Sequence, residues 1–239
     1  MTANYHSEIR FVNYDHEWYD APMPRKKARD EARQARTGVY RQHILDAAEQ
    51  VFAERGYEAA KVLEISDRSG LSMGTIYAIF PGKAELYAAL LEERGQELLR
   101  LARDVAERDL DAREALGALT SVYIDYFVSH PDFLRMHLRS GASWALGPVT
   151  GSPTQKSYWQ EIHELQAGIF RRGVAAGEFV DEDPAYLAKL FSAMDQVLLA
   201  DWVAGGMQTD RDTLVRRLCD LIDRALCLPA SSKRRTAAR

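Results

Sequence analysis

Apolar residues return every three or four positions along most of this 239-residue chain, and no stretch alternates with the period of two that a half-buried strand needs. The pattern predicts an all-α fold of about nine helices. The first predicted helix starts near Thr37, carries Ile44, Leu45, Ala48, Val51 and Phe52 on one face, and ends at Gly56. A short helix with Val62 and Ile65 follows. Then come Gly70-Leu71-Ser72, a second short helix over Met73-Gly74-Thr75-Ile76-Tyr77, and a stop at Pro81-Gly82. A long helix is predicted from Lys83 to about Arg108, with Leu86, Leu90, Leu91, Leu98, Leu101 and Val105 inward. The next runs from about Asp111 to Ser129, and Pro131 opens another to about Ser140. Residues 141–154, rich in Gly, Pro, Ser and Thr, read as a loop. Three more helices are expected over Gln155–Ala176, from Pro184 to about Ala204, and from about Arg211 to Cys227.

Composition adds little to this picture, but charge adds something. The formal total is −4, yet residues 24–36 hold six basic and two acidic residues, and the tail from Pro229 holds four basic residues and no acid. The remainder therefore stands at −12. An acidic body with basic ends suits a protein that meets a polyanion at one surface. The N-terminal residues have no apolar run of the signal-peptide kind, and nothing approaches the length of a membrane span, so a cytoplasmic protein is expected. Cys219 and Cys227, eight apart, would lie two turns apart on one helix, too far to bridge.

Residues 56–87 carry the most specific chemistry. Gly70 can adopt the positive φ that ends a helix, and Ser72 can cap the next. Helix, short Gly-containing turn and short helix is the arrangement that lays a recognition helix in the major groove of DNA. The order of Gly56, Tyr57, Val62, Ile65, Gly70, Ser72, Gly74, Thr75, Tyr77, Phe80, Lys83 and Leu86 resembles the TetR family of transcriptional regulators. That resemblance implies an N-terminal three-helix helix-turn-helix DNA-binding domain followed by a C-terminal helical ligand-binding and dimerisation domain. The boundaries expected are a basic flexible arm over 1–36, the DNA-binding domain over 37–82, the helical body over 83–228 and a basic tail over 229–239.

Ser72, Met73, Gly74 and Thr75 stand at the N-terminal end of the recognition helix, where side chains reach base edges. Tyr77 and Lys83 are implied as phosphate contacts, which set register without reading sequence. Three departures stand out. Ala60 and Lys61 replace threonines common in the family, so a cap is lost and a cation gained at Lys61; Met73 and Ile79 replace a basic residue and an aromatic one. Residues 37–83 hold five basic and six acidic residues, so Arg25, Lys26, Lys27, Arg29 and Arg33 are expected to supply much of the positive field that phosphates require.

One short helix reads few bases, so a homodimer on a palindromic double-stranded operator is expected. The interface is read from two stripes: Leu187, Leu190, Phe191, Met194 and Leu198, and Leu214, Leu218, Leu221 and Ile222, which two subunits would combine in a four-helix bundle. Aromatic and polarisable residues crowd the middle of the chain. Tyr123, Tyr126, Phe127, His137, Trp144, Trp159, His163 and Phe170 are the candidates for a ligand pocket. By resemblance, a small hydrophobic or aromatic effector would bind there and swing the helix over residues 83–108, separating the recognition helices of a repressor. No HExxH, CxxC or Gly-rich phosphate loop occurs, and His130, His137 and His163 with Asp132 and Glu164 form no nucleophile–base constellation, so neither catalysis, metal nor cofactor is expected. The alternative is a helical protein-interaction or small-molecule-binding module without sequence-specific DNA binding, which would have no use for Gly74-Thr75-Ile76-Tyr77 after the turn.

Overall fold

The structure, a computed structural model, describes residues 24–147 and 152–229. The chain divides into two units, one ending at Tyr40 and one beginning at Arg41. Helix α1 is Pro24–Ala59. In the first unit its residues are strong helix formers, Lys27 and Glu31 pair at 4.0 Å one turn apart, and Thr37 Oγ1 donates to the Arg33 carbonyl at 3.0 Å. The expectation that helix begins near Thr37 is corrected here: it begins at Pro24, whose fixed φ suits a first turn. The rest of the expected arm, residues 1–23, and most of the basic tail, residues 230–239, lie outside the described residues.

The second unit is helical throughout, with α2 (Val62–Ser69), α3 (Met73–Ile79), α4 (Lys83–Ala106), α5 (Ala112–Ser129), α6 (Pro131–Arg139), α7 (Pro153–Ala176), α8 (Pro184–Ala204) and α9 (Arg211–Leu226). No strand occurs among the described residues; two isolated bridges are the nearest approach. Local chemistry sets the ends. Gly56 takes φ 75°, ψ 166°, a conformation open essentially to glycine, and so breaks α1 just before its nominal end. Gly70 closes α2 at φ 69°. Asp111 and Ser152 begin α5 and α7 with reciprocal capping boxes to Glu114 and Gln155. Pro131, Pro153 and Pro184 each occupy a first helical position.

One continuous apolar core joins these helices. Ile44, Ala48, Val51 and Phe52 of α1 pack with Ile65, Ile76, Phe80, Leu86 and Leu90, so the start of α4 belongs to the core of the helix-turn-helix. Further along, α4 packs on α5 and α7, α7 on α8, and α5 on α9. After α7 the chain turns back, and Val180 N–H donates to the Leu226 carbonyl at 2.9 Å while Leu228 N–H donates to Glu178 at 2.8 Å, fastening the end of α9.

Gly173 in α7 allows the closest packing in the body. A Cβ there would lie 2.2 Å from the Phe179 ring and 2.9 Å from Ala112 Cβ, and Phe179 is itself buried without room to retreat. Gly173→Ala is therefore expected to destabilise the protein by about 1–3 kcal/mol, seen as a lower Tm with an unchanged helical spectrum. An unchanged Tm would show that this contact is looser than described.

Candidate DNA interface and effector cavity

The hairpin is built by two buried isoleucines and a glycine. Ile65 and Ile76 anchor α2 and α3 to the core, and Ser66 Oγ donates to the Leu71 carbonyl at 2.6 Å across the turn. Ser72 Oγ accepts the Thr75 N–H at 3.1 Å, the cap expected from the sequence, and also meets Thr75 Oγ1 at 2.9 Å. Ser72, Gly74 and Tyr77 are exposed, with Tyr77 at 47%; Met73 and Thr75 are half-buried. A Cβ added at Gly74 would meet nothing nearer than Ser72 Oγ at 3.8 Å, so internal packing does not demand a glycine there. Lys61 is exposed before α2, and the missing threonine cap is partly replaced, because Lys61 N–H donates to Glu64 at 3.3 Å. Ile79 is half-buried and packs against the core.

Lys83 is not placed as a phosphate contact. Its ammonium donates to the carbonyls of Tyr57, Glu58 and Ala60 at 2.7, 3.0 and 3.2 Å and lies 4.6 Å from the Tyr57 ring centre. The carbonyls at the C-terminal end of α1 carry partial negative charge and take all three of its donors, so Lys83 clamps α4 to α1. Three other basic residues between 37 and 83 are also paired: Arg41 with Glu93 at 3.6 Å, Arg55 with Glu64 at 3.4 Å and Arg68 with Glu54 at 2.8 Å. In the first unit Lys27, Arg29 and Arg33 are exposed; the side chains of Arg25 and Lys26 lie outside the described residues.

A cavity of about 610 Å³ opens among α4 to α8 and the loop after α6. Six of the eight residues expected at a pocket line it: Tyr123 and Phe127 from α5, His137 from α6, Trp144 from the loop, and Trp159 and His163 from α7. Two do not. Tyr126 sits about 100° round α5 from Phe127 and turns its hydroxyl to the Arg94 carbonyl at 3.2 Å. Phe170 lies one turn beyond Gln166, past the end of the cavity, packed on Phe179 and Phe191. Trp144 stacks on Phe127 with centroids 4.8 Å apart, and its carbonyl accepts from Trp159 Nε1 at 2.9 Å and from His163 Nε2 at 2.8 Å. That acceptor places the imidazole proton on Nε2.

The polar part of the lining was not anticipated. It includes Arg94 on α4, Gln155 and Gln166 on α7, and Ser192 and Asp195 on α8. A signal was available: Asp195 is a lone acid on an otherwise apolar face, four after Phe191 and three before Leu198. Tyr158, another lining residue, closes over Gly95, where an added Cβ would lie 3.0 Å from its ring. Arg94 Nε donates to Glu49 of α1 at 2.7 Å and its NH1 to Glu97 at 3.2 Å. Burial opposes its charge, but the bond and charge of Glu49, aided by Tyr126 and Glu97, prevail and raise its pKa. Burial pushes His137 down to about 4, so it is neutral at pH 7, and raises Asp195 well above its ordinary value, which favours its uncharged form. His163 is also lowered, by burial first, although the Trp144 carbonyl works the other way.

The expected dimer stripes need correction. Leu187, Phe191, Leu198, Leu214, Leu218 and Ile222 are buried within their own subunit, because α8 and α9 turn those faces to α7 and α5. Leu190 and Met194 are half-buried and Leu221 is 38% exposed. The outward apolar positions the sequence reading missed are Tyr186, at 51%, and Val197, at 69%.

These features define a helix-turn-helix transcriptional regulator. Residues 44–90 match the model for bacterial regulatory proteins of the tetR family. The "HTH-type transcriptional activator FasR" of Mycolicibacterium smegmatis is 38% identical over 90 residues, which are 38% of this chain and 41% of that protein. The "Fatty acid metabolism regulator protein" of Bacillus subtilis is 26% identical over 192 residues, 75% of this chain and 91% of its own length. Among solved structures, a transcriptional regulator FadR from Bacillus subtilis in complex with stearoyl-CoA aligns over 76% of this chain and 96% of its own, with a TM-score of 0.60 at 23% identity. Over residues 44–90 the chain thus matches the DNA-binding segment of the TetR family, and the relatives it resembles over more of its length are transcriptional regulators.

The depressed pKa of His137 has a consequence for stability. The unfolded chain takes up this proton near pH 6.5 and the folded chain only near 4, so the contribution is complete above 6.5 and is lost as pH falls toward 4. Replacement by phenylalanine removes that loss, worth about 2 kcal/mol by pH 5. Asp195, raised when folded, has the opposite slope in both proteins and cancels in the comparison. Between pH 7 and 5 the Tm of His137→Phe is expected to fall less than that of the unaltered protein; equal falls would mean that His137 is reached by solvent.

Proposed function

We propose that this chain is a ligand-responsive repressor that binds a palindromic operator as a homodimer and leaves it when a small hydrophobic or aromatic molecule fills the cavity. In this division residues 37–82 read DNA, residues 83–228 bind the effector and pair the subunits, and the protein works in the cytoplasm, where its operator is.

The observation that carries the ligand response is the double attachment of α4. Its first turn holds the end of α1 through Lys83, and Arg94, three turns on, bonds Glu49 of α1 while lining the cavity. Tyr87, Leu91 and Leu98 on the same helix also line the cavity. A ligand that displaces this wall must pull on the scaffold of the recognition helix. Arg139 of α6, two residues after the cavity residue His137, adds a second tie, donating to the Glu54 carbonyl of α1 at 3.1 Å. Removing one partner of a buried pair such as Arg94–Glu49 costs about 3–5 kcal/mol, enough to matter to a two-state balance.

DNA reading rests on the exposed face of α3. Gly74 has no packing reason to be glycine, which suits close approach of the backbone to a groove; Met73 and Thr75 flank it, and Tyr77 reaches outward toward phosphate. Because four of the five basic residues over 37–83 are held within the protein, the phosphate field falls to Lys61 and to the basic helix of the first unit, including Arg25, Lys26 and Lys27. Repression follows from the family resemblance and from simplicity, since a dimer over a promoter blocks polymerase with no further contact.

Selection of genomic fragments by the purified protein at near-physiological salt is expected to return one shared palindrome. Tyr77→Ala should then weaken binding about tenfold on every sequence, the loss of one phosphate bond, whereas Thr75→Ala should change preference at one base position in each half-site. If both variants bind as the parent does, α3 is not the reading helix.

Pairing is assigned to the outward faces of α8 and α9, where Tyr186, Leu190, Val197 and Leu221 leave apolar surface uncovered. Val197→Glu sets a charge against its symmetry mate and is expected to yield a folded monomer by light scattering, with operator affinity reduced at least a hundredfold. A dimer of unchanged affinity would place the interface elsewhere.

A further inference from the structure

Most polar groups around the cavity satisfy one another. Gln166 Nε2 donates to Tyr123 Oη at 3.3 Å, Ser192 Oγ donates to Gln166 Oε1 at 3.1 Å, and the Trp144 carbonyl receives Trp159 and His163. Two do not. Asp195 is 2% exposed, yet its Oδ1 finds no hydrogen-bond partner among the described residues, and neither does the buried indole Nε1 of Trp144. Both residues line the cavity, and the loop meets α8 beside Asp195, where the Trp144 N–H donates to Gln196 Oε1 at 3.1 Å. A buried polar atom without a partner is costly, and both of these belong to residues that line the cavity.

The charges around the cavity narrow the chemistry. Arg94 is the one guanidinium or ammonium among the described lining residues, and Glu49 and Glu97 already share it. Burial lowers both His137 and His163, which favours their neutral forms. A carboxylate or phosphate carried inside would thus be stripped of water without a counter-ion. A cation would meet at Asp195 a carboxyl whose charged form burial disfavours. The acid O–H and the indole N–H are both donors, and the second carboxyl oxygen accepts.

Resting on the reading of the cavity as the effector site, we propose that the effector is an apolar molecule with one uncharged oxygen function, a hydroxyl or carbonyl, held at the wall by Asp195 and Trp144. The oxygen accepts from the donors of these two side chains, and a hydroxyl also donates back to the carboxyl. The aromatic and aliphatic wall takes the remainder of the molecule.

Four eight-carbon probes that differ only in their head group test this on the full chain: 1-octanol, 2-octanone, octanoate and octylamine. Binding is read as a ligand-induced rise in Tm and as quenching of tryptophan emission. The two uncharged probes are expected to bind at least about tenfold more tightly than either ion, a difference of one well-made hydrogen bond or more. Asp195→Asn, whose amide donates and accepts in place of the acid, should keep octanol binding, and Asp195→Leu should lose about tenfold. Trp144→Phe, which keeps the ring and removes the N–H, should weaken 2-octanone. Preference for octylamine, lost in Asp195→Asn, would show a cation site, and preference for octanoate an anion site; either overturns the inference while the cavity stays the effector site. Octanol affinity unchanged in Asp195→Leu also overturns it. If none of the four binds, the effector reading of the cavity falls, and this inference with it.

Discussion

The buried pair of Arg94 and Glu49 is the interaction on which the rest of the molecule depends. Glu49 stands on the helix that supports the DNA-reading hairpin, and Arg94 stands on the wall of the cavity, with side chains only 8% and 13% exposed. Two charges so far from water persist only when geometry matches them closely, so the pair tolerates little sliding of α4 along α1. With Lys83 bonded at the other end of the contact, the first half of α4 is a bracket held to α1 at two points. The second half, from Gly95 on, packs on α5 and α7 and follows the helical body.

This arrangement leaves the hairpin electrically quiet. Arg55 and Arg68 are paired with acids of the same segment, and for that reason the proposed function turns to the basic helix of residues 24–40 for DNA affinity. In the reading proposed here labour is divided accordingly: α3 would supply shape and a few base-edge contacts, while positive charge would come from outside the hairpin.

Much of the fold was legible in the sequence because its signals were local. Gly70, Ser72, Pro131 and Asp183-Pro184 act on their immediate neighbours, and each ends or begins a helix where expected. The errors came where a residue's fate depends on distant chain. Lys83 reads as a phosphate ligand until the end of α1 is seen to present three carbonyls to it. Leu187 and Leu218 read as interface because periodicity shows that a helix has an apolar face, not which neighbour covers it. The cavity's aromatic members were found by composition; its decisive polar members, Asp195 and Gln166, were hidden because a single acid or amide within an apolar helix looks like noise until its lack of solvent is known.

The sharing of α4 between the cavity and α1 also has a thermodynamic side. Any coupling carried by one bracket runs in both directions with equal strength: whatever factor the effector removes from operator affinity, the operator removes from effector affinity. In the regulator proposed here DNA is thus itself an antagonist of the effector. Copies of the protein seated on their strongest operators would respond at higher effector concentrations than copies on weak sites or free in solution. A cavity tied in this way to α1 would then grade the order in which genes are released.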